Sequence, residues 1–115
     1  MEQQNLENAT IRDYSILDEM YTDAYYPNFL VDKCKSILVK LCFAIESQKP
    51  QNIEELYKLT HSATEEFNGL MEEFWENDSD LETVARECIC ANFDFIGKAY
   101  NFDVDAEDVV GPRDW

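Results

Sequence analysis

Glycine and proline are scarce in this chain, three of each among 115 residues, so breaks between elements are few and easy to place. No segment alternates apolar and polar residues over the length of a strand, which argues against a sheet. No run approaches the roughly 20 apolar residues that a membrane-spanning helix requires. The start, Met1-Glu2-Gln3-Gln4-Asn5, lacks the basic and then apolar pattern of a secretory signal. Histidine is nearly missing. His61 stands alone, there is no Cys-x-x-Cys, and the paired Glu-x-x-His motifs of di-iron bundles are lacking, so too few ligands converge for a transition metal. Bases are outnumbered by acids, nine against twenty-five, and a net charge of -16 repels nucleic-acid backbone and anionic lipid alike. The expectation is a protein with no cofactor, no metal, no nucleic-acid partner and no membrane partner.

What the chain does have is apolar surface. Apolar residues make up 45% of it, including seven Phe, six Tyr and two Trp, far too much for a disordered chain despite the charge. At this length a single core can bury roughly 60 to 70% of the unfolded surface, so no disulfide staple is required. Cys34, Cys42, Cys88 and Cys90 all fall inside helical patterns rather than in a loop-rich frame, and they read as reduced thiols of a cytoplasmic protein. The charge is uneven. Residues 1–50 hold eight acids and five bases, whereas residues 51–115 hold seventeen acids and four bases.

The spacing predicts an all-α fold, a small bundle of three long antiparallel helices with short N- and C-terminal helices. Residues 1–12 are polar and expected to fray, and 13–115 form a single helical domain. Asp13 to Tyr21 reads as a short helix, followed by a tyrosine-rich connector that ends at Pro27. The first long helix runs from about Asn28 to Gln48, with Leu30, Cys34, Ile37, Leu38, Leu41, Cys42 and Ile45 as its buried stripe. Val39 and Phe43 fall opposite, to be covered by the N-terminal segment, with Tyr14, Tyr21, Tyr25, Tyr26 and Phe29 as the residues for that cover. The second runs from about Ile53 to Trp75 behind a start signal at Asn52 and Glu55; Leu56, Thr60, Ala63, Phe67, Leu70 and Phe74 face inward. The third, about Leu81 to Asn101, buries Leu81, Val84, Ala85, Cys88, Ile89, Phe95, Ile96 and Ala99, with Ser79 or Asp80 as its cap. A last turn, Asp105 to Val110, precedes Gly111-Pro112. Short connections make an up-down-up bundle the economical arrangement.

Several clusters carry a resemblance. Leu17-Asp18-Glu19-Met20-Tyr21, Tyr26-Pro27-Asn28-Phe29-Leu30-Val31-Asp32-Lys33, Leu59-Thr60-His61-Ser62-Ala63-Thr64-Glu65, Glu82-Thr83-Val84-Ala85-Arg86-Glu87 and Arg113-Asp114-Trp115 together resemble an uncharacterised family of short acidic bacterial proteins, one of the numbered domains of unknown function. The resemblance covers the chain from about residue 13. It implies a small helical bacterial protein and brings no activity, cofactor or partner with it.

His61 and Glu65 form an i, i+4 pair, the spacing of a base and its orienter or of two metal ligands, although the structural reading of such a pair is the default. With Asp32 and Arg86, which also lie near stripe boundaries, they form the candidate binding residues of a small-ligand site. Cys90 points away from the stripe, with no base near it in sequence to activate it. Asp103 to Asp108 alternates acids as a calcium loop does, but Asp108 stands where the loop needs glycine. Asn92 lies in the middle of the third stripe, where a buried amide commonly fixes register.

No catalytic signature emerges, and the balance leans away from an enzyme. The foremost expectation is an acidic cytoplasmic protein-interaction module, inhibitor- or immunity-like. It would present Glu65, Glu66, Glu72, Glu73 and Trp75 to a basic protein. The alternatives are a ligand binder or enzyme centred on His61 and Glu65, and a homodimer built on spare apolar surface of the first long helix.

Overall fold

The computed structural model describes residues 2–115, which are all-helical with no strand. Two short helices come first, α1 (Ala9–Arg12) and α2 (Asp18–Tyr21), then three long ones, α3 (Asn28–Gln48), α4 (Ile53–Glu76) and α5 (Thr83–Ala99). Single 3-10 turns lie at Gln3–Asn5 and Asp108–Val110. The apolar stripes set this order. Leu30, Cys34, Leu38, Leu41, Cys42 and Ile45 of α3 meet Leu56, Ala63, Phe67 and Phe74 of α4, and α5 adds Ala85, Cys88, Ile89, Phe93 and Ile96 to one continuous core. Thr60 and Thr64 are buried within α4. Thr64 donates its hydroxyl to the Thr60 carbonyl at 2.8 Å, so its polar atom is satisfied within the helix.

The helix ends show why so few glycines suffice. The chain reaches the left-handed region at Leu17, Lys49, Asp78 and Asn101, and at no glycine. α4 stops in a Schellman arrangement: Asp78 N–H donates to Trp75 O and Ser79 N–H to Phe74 O. α5 stops the same way, with Asn101 N–H donating to Lys98 O and Phe102 N–H to Gly97 O. The start of α4 is capped as its sequence indicates, since Asn52 Oδ1 accepts the Glu55 N–H at 2.9 Å.

Five expectations need correction. Residues 2–12 are packed where fraying was expected: Leu6 and Ile11 are fully buried, and Asn8 caps α1 by accepting the N–H groups of Thr10 and Ile11. Polar composition misled there because these polar groups act as braces. Gln3 Nε2, for example, donates to the carbonyls of Ile11 and Tyr14. The expected helix over Asp13–Tyr21 is helical only from Asp18 to Tyr21, because residues 13–17 are turns and Leu17 takes the left-handed region. Neither Ser79 nor Asp80 caps α5, which starts behind Glu82 with no side-chain cap; Ser79 Oγ donates instead to Tyr25 O at 3.0 Å. The buried side of α5 centres on Asn92 and Phe93, which rotates Val84 outward and leaves Phe95 half-buried. Last, Val39 is buried beside the Glu2–Gln4 segment, but Tyr14 and Tyr26 do not cover it. Tyr14 stacks on Phe95 and the Tyr26 hydroxyl accepts the Ala85 N–H, both on α5.

Candidate functional site

The four residues proposed for a ligand pocket sit on three helices and serve separate neighbours. His61 Nε2 lies 2.6 Å from the Asp108 carbonyl, an arrangement in which the ring N–H donates to it. Its ring stacks on Tyr57 one turn earlier, centroids 5.6 Å apart. His61 therefore braces the C-terminal turn against α4. Glu65, one turn further on, is exposed and forms no ion pair among the described residues. Asp32 accepts the Tyr21 hydroxyl at 2.6 Å, and Arg86 donates to Thr83 Oγ1 at 3.3 Å. No group of His, Cys, Asp or Glu among the described residues is placed to hold a metal ion. The Asp103–Asp108 acids close a turn instead, with Asp105 Oδ1 accepting the N–H groups of Glu107 and Asp108.

The acidic side of α4 divides into two stripes. Glu66 pairs with Lys40 at 3.1 Å and Glu73 with Lys33 at 2.5 Å. The lysines lie seven residues apart on α3, as do the glutamates on α4, and the pairs run in opposite directions, as two antiparallel helices require. Such exposed pairs contribute at most about 1 kcal/mol each. The second stripe is unpaired, and Lys58, between Glu54 and Glu65, is the one base on its line. Glu54, Glu65, Glu72 and Glu76 are exposed with no ion pair among the described residues. At 100° per residue they fall within about 40° of one line along the helix.

That stripe runs to the end of the bundle where α3 begins, α4 stops and α5 begins. Trp75, Phe29, Val84 and Tyr25 are 54, 49, 43 and 41% exposed there, a large fraction for such apolar side chains. Phe29 lines a groove of about 550 Å³ with Gly69, Glu72, Glu73, Glu76 and Asn77. The Trp75 indole N–H donates to Asp80 Oδ1 at 2.9 Å. The Tyr25 ring sits edge-on to Tyr26, 5.1 Å between centroids. Burial, with the nearby Glu82 and Asp80 carboxylates adding to it, pushes the Tyr25 phenol upward, so it stays neutral.

Groups with potential reactivity are quieter. Burial raises the Cys34 and Cys42 thiols to about 12, far from the thiolate a nucleophile needs. Cys90 receives an Arg113 N–H at 3.2 Å, yet burial outweighs that cation and its thiol is also raised. Glu46 went unnoticed in the sequence, and among the described residues it is the most heavily bonded carboxylate. Oε1 accepts the Glu7 N–H at 2.8 Å, and Oε2 accepts the Asn8 N–H at 3.1 Å and the Tyr100 hydroxyl at 2.5 Å. Burial pulls its pKa up, but these donors and Arg12 prevail and hold it below the usual carboxylate range. One signal was available: an acid in the last turn of α3 opposes the helix dipole and needs another reason to be there. Asn68 was missed as well. It clamps the C-terminal tail, donating to Pro112 O at 3.0 Å and accepting the Asp114 N–H at 2.8 Å, and Trp115 packs on Phe67 behind it.

Comparison with known families bears out the resemblance noted in the sequence. Residues 10–115 match the model of a family of unknown function, DUF5713, so the likeness begins slightly earlier than residue 13. No curated protein and no solved structure matches the chain.

Proposed function

We propose that this chain, which belongs to the DUF5713 family, is a protein-interaction module that binds a basic protein, as an inhibitor or immunity protein does. One observation carries the reading. The Glu54, Glu65, Glu72 and Glu76 stripe faces solvent along α4 with no ion pair among the described residues and Lys58 as the one base on its line, whereas the neighbouring Glu66 and Glu73 are neutralised by α3. A row in which four acids outnumber one base raises the encounter rate with an opposite surface and rejects acidic competitors. The four unpaired cysteines support a reducing, cytoplasmic setting for that encounter.

The test begins with immobilised protein and a lysate of the source cells, from which the partner is eluted by salt and identified. Association of the purified partner is then timed with wild type and with the fourfold variant Glu54→Gln, Glu65→Gln, Glu72→Gln, Glu76→Gln. The variant should associate about tenfold more slowly at low salt, with the difference vanishing near 0.5 M salt as screening removes the steering. Equal rates at low salt mean that the stripe only keeps the protein in solution.

A further inference from the structure

We infer that the end of the bundle formed by Tyr25, Phe29, Trp75 and Val84 is a docking surface for a short cationic amphipathic segment of a partner protein. Such a segment carries Lys or Arg interleaved with apolar side chains. The inference rests on the reading above and adds where the partner seats and by what chemistry.

Single exposed apolar residues are ordinary on any protein; what distinguishes these four is that they gather. Hydrogen bonds and contacts tie them to one end. Trp75 is bonded to Asp80, the Tyr25 carbonyl to Ser79, and Tyr26, edge-on to Tyr25, to the Ala85 N–H beside Val84. Phe29 adjoins Glu72, Glu73 and Glu76 across its groove. The Trp75 ring is held by its own N–H bond and Tyr25 by its neighbour, so they lose little freedom on binding, as good anchor residues should.

Charge selects the occupant. Between Glu72 and Glu82 the sequence places six acids and no base, and Lys33 there is already paired with Glu73. A cationic side chain would find carboxylates at the rim and the face of Trp75 for a cation–π contact, while its apolar neighbours cover Phe29 and Val84. A second copy of this chain brings acid against acid, and an anionic lipid surface is repelled for the same reason. The α4 stripe ends here at Glu72 and Glu76, so a partner drawn in along α4 arrives at the aromatic end.

The experiment uses the full-length, nitrogen-15-labelled protein and three synthetic 14-residue helical peptides. One is built of Leu and Lys at amphipathic spacing, one has its Lys replaced by Glu, and one has its Leu replaced by Ser. The Leu/Lys peptide should shift the Trp75 indole signal and the amides of residues 25–29 and 75–84. The Leu/Ser exchange should weaken binding at least tenfold, and the Glu peptide should not bind. Trp75→Ala and Phe29→Ala, both at exposed positions, should each weaken the Leu/Lys peptide about tenfold with circular dichroism unchanged. Shifts concentrated instead between Glu54 and Glu65 overturn this surface and leave the acidic-module reading standing. No binding of the Leu/Lys peptide at low salt overturns both. Equal binding of the Glu peptide, or a self-association in sedimentation that Trp75→Ala abolishes, also overturns the assignment.

Discussion

Asn92 shows what one buried amide does in this protein. It is 4% exposed, its Oδ1 accepts the Leu17 N–H at 3.1 Å, and its Nδ2 donates to the Cys88 carbonyl at 2.7 Å. Leu17 has φ of 57°, a region unfavourable for a leucine, and the amide bond holds it there, with the side chain fully buried. The Asn92→Ala variant leaves that N–H buried without a partner and opens a small void. A loss of about 2 to 3 kcal/mol in urea unfolding is expected, and a loss under 0.5 would show that Leu17 holds its own turn. Glu46 makes the second residue-scale prediction. Its folded pKa lies below the usual carboxylate value, so its contribution is present in full above that value and is lost as pH falls through the folded one. Glu46→Gln should cost about 2 kcal/mol near neutral pH, and the gap from wild type should shrink below about pH 4. Urea titrations across pH 2.5 to 7 measure it directly.

Among the elements, the long helices share one habit, which is to stop on a left-handed residue that is not glycine. Lys49 has φ of 49°, and its N–H donates to Ile45 O, closing α3. A lysine there gains nothing from its side chain to offset the steric strain that Asp78 and Asn101 partly escape through their short polar groups. Lys49→Gly should therefore stabilise the protein by about 1 kcal/mol and raise its Tm by a few degrees in calorimetry. The glycine within α5 has another use. A Cβ at Gly97 would come within 2.6 Å of Val104 Cγ1, so Gly97 is where the chain folds back onto the helix it has just left.

For the whole molecule, charge works against compactness. Twenty-five acids face nine bases, within a Cα radius of gyration of 13.4 Å. Four ion pairs are present among the described residues, all with solvent-exposed members, so most of the repulsion stands unopposed. Salt screens repulsion between exposed charges, and the Tm should rise by several degrees between about 0.02 and 0.5 M sodium chloride. A falling Tm would show instead that the few attractive pairs dominate.

The sequence by itself determined the three long helices, the Asn52 start of α4 and the distribution of charge. Each of these is written in residues no more than a few positions apart: a helix bonds four residues along, and its stripe repeats every three or four. The boundaries of α3 and α4 could be read almost to the residue for that reason. Only the tertiary structure decided which side of α5 is buried, because Val84 and Phe93 compete for the core according to what packs opposite them. It alone showed that α3 neutralises Glu66 and Glu73 but not Glu65 and Glu72. Asn92 finds Leu17 across 75 residues, and Glu46 finds Tyr100 across 54. The aromatic end joins Tyr25 and Phe29 to Trp75 and Val84 in the same way. No local spacing encodes such meetings; they follow from how the helices pack once the core has formed.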